Sequence, residues 1–204
     1  MQSFAEIRAR AAERKGGDAS LAKMLAEAVV KSPEEIAAIP DDRILAEFSK
    51  RVFQAGFNWK VIENKWQGFE DAFEGFDVTR NVFMSDDDLD RHLQNTGIVR
   101  HAKKILSVRD NAIFLSDLAK EHGSAAKAIG YWPREDYVGL LETMKKRGNR
   151  IGGNTGPHLL RFLGKESFIL SRDVTAALIA AGVVDKAPSS KTAMKAVQAA
   201  FDDW

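Results

Sequence analysis

The sequence predicts an all-α fold, helical lobes around a cleft, and three observations predict it. Apolar residues recur at helical spacing in nearly every segment, no stretch sustains the period-two alternation of a strand, and capping residues stand at the head of several periodic runs. The 204 residues can bury one core, and the chain reads as a single helical domain over residues 1–204.

The opening stretch, Met1 to Gly17, is charged and amphipathic and lacks the apolar centre of a signal peptide. Asp41-Asp42 can cap a helix that runs from Arg43 to about Ala55, where Gly56 ends it. A second helix is predicted from near Asn58, with Trp59, Ile62, Trp66 and Phe69 along one side. Ser85 and Asp88 have the spacing of a capping box, and the helix they begin ends at Gly97. The longest helix is predicted from Arg100 to Leu118, with Ile105, Val108, Ala112 and Leu115 as its buried stripe. Gly123 to Pro133 reads as a turn-rich break crossing between lobes or over a surface. Further helices follow at Tyr137–Lys146, Pro157–Leu163 and Arg172–Ala181. The tail from Ser189 to Trp204, capped by Ser189 or Ser190, carries Ala193, Val197, Ala200 and Phe201 at helical spacing.

Composition excludes several classes of chemistry. There is no cysteine, so disulfides and thiolate metal sites are ruled out, and the four histidines have no ligand-like spacing. We therefore expect no metal and no cofactor. No apolar run approaches the roughly 18 residues of a membrane span, so a soluble, cytoplasmic, monomeric protein with no membrane partner is expected.

The net charge of +1 hides an uneven distribution. Between Thr143 and Lys165 stand Lys145, Lys146, Arg147, Arg150, Arg161 and Lys165 without one acid, whereas acids gather at Asp41-Asp42, Asp86-Asp87-Asp88 and Asp202-Asp203. A local positive face is expected, and phosphate suits it. Within it, Gly148-Asn149-Arg150-Ile151-Gly152-Gly153-Asn154-Thr155-Gly156-Pro157 separates two short predicted helices, a helix-hairpin-helix arrangement over about 137–163. Glycines let such a turn point backbone N–H groups outward without a Cβ in the way of a phosphate, and Pro157 suits the first turn of the next helix. Lys145, Lys146, Arg150, Gly152, Gly153, Asn154, Thr155 and Gly156 are the candidate phosphate contacts. An ordinary helix-to-helix turn would also use these glycines, but the acid-free surround favours DNA.

Two further segments carry a family resemblance. Gln54-Ala55-Gly56-Phe57-Asn58-Trp59, followed by Thr96-Gly97-Ile98-Val99-Arg100-His101-Ala102-Lys103-Lys104-Ile105, resembles the signature of the DNA-3-methyladenine glycosylase I family. Lys145-Lys146-Arg147-Gly148 is similar to that family's entry into its hairpin. The resemblance spans roughly Asp41 to Asp173. It implies a helix-hairpin-helix glycosylase that flips an alkylated purine of the 3-methyladenine class out of duplex DNA and hydrolyses its glycosidic bond, with damaged duplex DNA as partner and a nucleoid location.

By the same resemblance Trp59 stacks the flipped base and Gln54 and Arg51 border it, while Gly56 and Phe57 belong to the loop that fills the gap in the duplex. Taken alone, Trp59 would read as a core residue beside Trp66. Asp173 matches the superfamily's aspartate, which can stabilise an oxocarbenium-like sugar or orient water; capping of the next helix, by it or by Ser171, is the other reading. Thr155 stands close to where bifunctional relatives carry a lysine, so a monofunctional enzyme is implied. Where the family has its lesion-recognising glutamate this chain has Arg51, and Glu47, one turn earlier on the same face, can either supply a carboxylate or pair with Arg51. The family's zinc-binding Cys/His set and its aromatic-rich opening are missing, with Phe4 the nearest substitute. Two other functions fit the sequence: a family member that binds damaged DNA without cutting it, and a helical protein-interaction domain.

Overall fold

The computed structural model describes residues 2–204, with no strand among the described residues. Three short helices lead the chain: α1 (Phe4–Arg14), α2 (Asp18–Ala26) and α3 (Pro33–Ala37). The central part holds α4 (Asp41–Gln54), α5 (Trp59–Asn64), α6 (Trp66–Ala72), α7 (Val78–Val82), α8 (Asp86–Gln94), α9 (Ala102–His122) and α10 (Ala125–Gly130). The remainder forms α11 (Tyr137–Arg147), α12 (Thr155–Leu163), α13 (Arg172–Ala180) and α14 (Lys191–Asp203).

The core is built on α4 and α9. Ile44, Leu45, Phe48, Val52 and Phe53 of α4 meet a cluster that includes Ile105, Val108, Ala112, Phe114 and Leu115 of α9. Helices α7 and α10 pack on α9, and α12 packs on α4. The predicted stripe on the longest helix is the one observed, because residues at i, i+3, i+7 and i+10 fall on one face.

Local details differ from the sequence reading where tertiary contacts intervene. Asp41 lies in the first turn of α4, but its carboxylate accepts the backbone N–H groups of Ala125 and Ala126, both at 3.0 Å, so it caps α10 instead. The predicted break from Gly123 to Pro133 therefore contains a helix. Ser124 also caps α10, whose Ala125, Ala126, Ala128 and Ile129 are buried. Its closeness to α3 requires Gly130, since a Cβ there would stand 2.6 Å from the Pro33 carbonyl. So short an alanine-rich helix has no polar face and gives no amphipathic signal.

The helix predicted from Asn58 through Phe69 is two, broken at Lys65, whose Nζ donates to the Thr96 carbonyl at 2.7 Å. The break separates the tryptophans. Trp66 stacks on Phe76 with ring centroids 5.3 Å apart and joins the core edge, while Trp59 turns toward α12. A Cβ on Gly68 would lie 2.6 Å from the Gly97 carbonyl, so α6 sits directly on the turn that precedes α9. The second motif segment is thus held against α6, although 29 positions separate Gly68 from Gly97.

The tail packs at the start of α11, away from α4. Gln198 accepts from the Val138 N–H at 3.1 Å and donates to the Arg134 carbonyl at 3.2 Å, and Phe168 stacks on Phe201. The Trp204 indole donates to the Gln2 carbonyl, bringing the two ends of the chain together.

Candidate functional site

The last turns of α4 place Glu47, Arg51 and Gln54 on one face, at i, i+4 and i+7. Arg51 is 5% exposed, and its Nε lies 2.7 Å from Glu47 Oε1, within ion-pair distance but without hydrogen-bond geometry. The guanidinium carbon sits 3.7 Å from the centroid of the Phe162 ring and 5.5 Å from that of Trp59. Trp59 in turn meets His158 and Phe162 at 5.8 and 6.0 Å, both at steep angles. With Trp59 40% and Phe162 50% exposed, these rings form a partly exposed aromatic cluster at the surface, with the guanidinium packed against it.

Electrostatics follow from burial. Desolvation raises the Glu47 carboxyl pKa, against the opposing pull of Arg51 and Lys50, and lowers that of Arg51, against Glu47. Desolvation, reinforced by Arg51 and Arg161, lowers the His158 imidazole below its ordinary value, so the ring facing Trp59 is uncharged at neutral pH. Gln54 is 2% exposed, and neither atom of its amide has a hydrogen-bond partner among the described residues. That leaves a costly pair of orphaned polar groups in the interior, one turn from Arg51.

Past Gln54 the chain turns through Gly56, whose φ of +76° suits glycine, and Asn58 caps α5. Beneath this turn the buried Lys104 donates to the carbonyls of Phe53, at 3.0 Å, and Ala55, at 2.6 Å, and its ammonium is 4.4 Å from the Phe57 ring centroid. Carbonyls at the end of α4 that the helix cannot satisfy are thereby paired, and Phe57 projects half-exposed from the surface. Burial, aided by Arg150, lowers the pKa of Lys104 to about 8.

The hairpin after α11 is pinned by a buried asparagine of α9. Asn111 donates to the Asn149 carbonyl at 3.1 Å and accepts the Asn149 N–H at 2.8 Å, and the Asn149 side chain reaches Asp110. Ile151 is buried as an anchor, and Arg150 and Gly153 both adopt positive φ, 64° and 61°. Gly156 is required for packing, since its Cβ would stand 2.9 Å from the Ile151 carbonyl. Asn154 precedes α12 without a side-chain cap, so the first N–H groups of that helix are not covered by one. Lys145, Lys146 and Arg150 are exposed and without ion-pair partners among the described residues. The rest of the acid-free stretch divides. Arg147 forms a two-bond pair with Glu121, and Lys165 donates to the carbonyls of Gly130 and Trp132.

Asp173 lies exposed in the first turn of α13, behind Ser171, whose hydroxyl accepts the Val174 N–H at 3.1 Å. It shares no hydrogen bond or ion pair with the cleft or the hairpin among the described residues. Phe4 is exposed on α1. Sequence reading missed His158, Phe162, Lys104 and Asn111 as parts of the site. The first two stand at i and i+4 on α12, a spacing visible in the sequence that would have shown the hairpin's second helix turning a face to the cleft.

Among the described residues no group of three or more acidic or histidine side chains is placed to hold a metal, and no helix is long and apolar enough to cross a membrane. The family model for methyladenine glycosylase matches residues 37–154, more than half of the chain. The chain belongs to the methyladenine glycosylase family. The match takes in Glu47, Arg51, the Phe57 turn, Trp59, Lys104 and the hairpin as far as Asn154; His158, Phe162 and Asp173 lie beyond it.

Two curated relatives are DNA-3-methyladenine glycosylase 1 of Escherichia coli (strain K12) and DNA-3-methyladenine glycosylase of Haemophilus influenzae. Each is 34% identical over 59 residues, 29% of this chain and 32% of the relative. The aligned part thus spans about a third of the length of either relative. Among solved structures, 3-methyladenine DNA glycosylase I is similar with a TM-score of 0.55 at 23% identity, covering 67% of this chain and 82% of that one. A variant of 3-methyladenine DNA glycosylase I in complex with 3-methyladenine has a TM-score of 0.57 at 19% identity, with 65% and 82% covered. The all-helical fold of these glycosylases is the fold of this chain.

Proposed function

We propose that this family member is a monofunctional DNA glycosylase that hydrolyses the N-glycosidic bond of a modified purine flipped out of duplex DNA, and that alkylated purines of the 3-methyladenine class are the reference substrates. The observation that carries this reading is the juxtaposition, near the end of α4, of the partly exposed Trp59–Phe162 aromatic cluster and a projecting Phe57. A base entering the cleft stacks on Trp59, and Phe57 fills the space it vacates. The helix-hairpin-helix segment, through Lys145, Lys146, Arg150, the outward N–H groups of residues 152–156 and the N-terminus of α12, grips one strand irrespective of sequence. The chain acts on damaged duplex DNA as a monomer, in the nucleoid.

Two carboxylates are available for the chemistry. Asp173 stabilises positive charge at the sugar or orients the water that attacks C1′; the cationic alkylated base departs with the bonding electrons as a neutral molecule, and the proton of the attacking water passes to solvent. Glu47, the carboxylate nearest the cleft, is held by Arg51 and sets the charge of the pocket wall. Single-turnover release of free base from a methylated genomic DNA pool tests the reading, with Asp173→Asn alongside. Release by the wild type and a slower rate with unchanged DNA affinity in the variant are expected; an unchanged rate would make Asp173 a helix residue only.

A second reading, binding of damaged DNA without excision, is favoured by the Glu47–Arg51 pair, which occupies the carboxylate, and by the exposure of Asp173. It predicts lesion-dependent affinity with no base released.

A further inference from the structure

We propose that the cleft selects a 6-oxopurine, a neutral base presenting O6 and N7 as adjacent acceptors, and that Arg51 is the residue that selects it. The inference rests on the glycosylase reading above and narrows its substrate.

The argument starts from the donors at the cleft wall. The Arg51 guanidinium carries donors only and stays charged at any physiological pH. Its Nε faces Glu47, while its two terminal nitrogens make no hydrogen bond among the described residues. The group is buried to 5% exposure and flanked by the Phe162 and Trp59 rings, so its free edge is the part a stacked base would meet. The terminal N–H groups are not among the buried orphaned atoms and stay open to a ligand, and a base that displaces their water must supply acceptors in its place.

Bases differ in what they supply. On its major-groove edge a 6-oxopurine offers O6 and N7 together, the pair that a guanidinium engages with two parallel hydrogen bonds. A 6-aminopurine offers N7 beside an amino donor, which would confront the guanidinium donor to donor. If that base is also cationic, as an N3-alkylated adenine is, charge repulsion adds to the mismatch in a partly desolvated cleft.

Gln54 supports the same choice independently. It is one turn from Arg51 on α4, is 2% exposed, and has both its amide oxygen and its amide nitrogen unpartnered. Both amide atoms are closed to solvent, so they reach a base only by a turn of the side chain; once turned, the amide is complementary to an edge carrying a donor next to an acceptor, and the N1–H and O6 of a neutral 6-oxopurine are such an edge. The Glu47 carboxylate balances the charge of Arg51, so the wall has no need of an anionic ligand and a neutral base suffices.

The test compares hypoxanthine with 3-methyladenine, using wild type, Arg51→Gln and Arg51→Glu, with thermal melts to establish that each variant folds. Single-turnover release is measured from a duplex containing one hypoxanthine and from a methylated genomic DNA pool, and binding of the two free bases is measured by calorimetry. Wild type is expected to favour hypoxanthine by about tenfold or more, in release and in free-base binding, and Arg51→Gln to lose that preference. Arg51→Glu, if folded, should turn it toward 3-methyladenine. Equal or stronger binding of 3-methyladenine by the wild type, a preference untouched in Arg51→Gln, or binding of neither base would overturn the proposal. If no base is released from any duplex while free hypoxanthine is still preferred, the base selectivity stands and it is the proposed excision that fails.

Discussion

Arg51 and Glu47 lie one helical turn apart, and their pairing is the kind of residue-scale fact the sequence discloses: a charge reversal next to a carboxylate at i+4 spacing predicts the contact. Trp59 was not legible in that way, because a tryptophan at helical spacing from Ile62 and Trp66 reads equally as core. The break at Lys65 turns it toward α12. Replacement of Trp59 by alanine should therefore cost little stability and reduce binding of a flipped base by about 1–3 kcal/mol, with plain-duplex affinity nearly unchanged, as titrations of lesion and undamaged duplexes would show. A loss shared equally by both duplexes would place Trp59 outside the base site.

Lys104 makes a pH-dependent prediction. Its ammonium holds the end of α4 and the turn behind Phe57, and its pKa is lowered to about 8 from the usual lysine range. The charged form predominates below pH 8 and gives way to the neutral form above it, while an unfolded chain keeps its proton to about 10.5. Between those limits the folded state binds fewer protons, so the Lys104 contribution to folding stability improves with pH. Binding moves the other way. As the charge is lost, the bonds to the Phe53 and Ala55 carbonyls weaken and the Phe57 turn loosens. Duplex affinity measured by fluorescence anisotropy should fall through a step centred near pH 8 in the wild type, and that step should be missing from Lys104→Met.

At the scale of elements, α11, the hairpin and α12 show which glycines do structural work. Gly153 needs its positive φ, whereas Gly156 is demanded by the closeness of the Ile151 carbonyl at 2.9 Å. A Gly156→Ala change should displace the hairpin and weaken binding to every duplex, lesion or not, without changing the number of phosphates contacted by the flanking lysines. Lys146→Ala should instead remove about one unit from the slope of log affinity against log salt. The sequence placed helices on either side of the glycine-rich turn where α11 and α12 stand, with exposed basic residues beside them. It did not show that Arg147 is committed to Glu121 or that Lys165 is committed to the Gly130 and Trp132 carbonyls, because charge composition carries no information about partners.

The molecule as a whole is tied together by contacts between distant segments. Asp41, at the head of α4, caps α10 some 84 positions away, and the two carboxylate oxygens each take one N–H. Asp41→Ala leaves those groups without the partner and should destabilise the fold by about 1–3 kcal/mol. For a chain of this size the melting temperature should drop by several degrees, and glycosidic chemistry should change little at temperatures where the variant is folded. An unaltered melting temperature would mean that water replaces the carboxylate without loss.

The helical class, the α9 stripe and the glycine-rich turn are properties of local order that periodicity, capping and spacing encode directly, while the motif segments around Trp59 and Lys104 and the reversal at Arg51 are legible through the family resemblance. Tertiary structure alone decided which faces meet. It set α12 against α4, so that His158 and Phe162 close on Trp59; it placed Lys104 under the Phe57 turn; and it left Gln54 buried without a partner. It also moved Asp41 from its own helix to α10 and gave a helix to a segment that reads as a turn. The physical reason is common to these cases: each depends on the packing of surfaces far apart in the chain, and burial and hydrogen-bond satisfaction are properties of that packing, not of sequence neighbours.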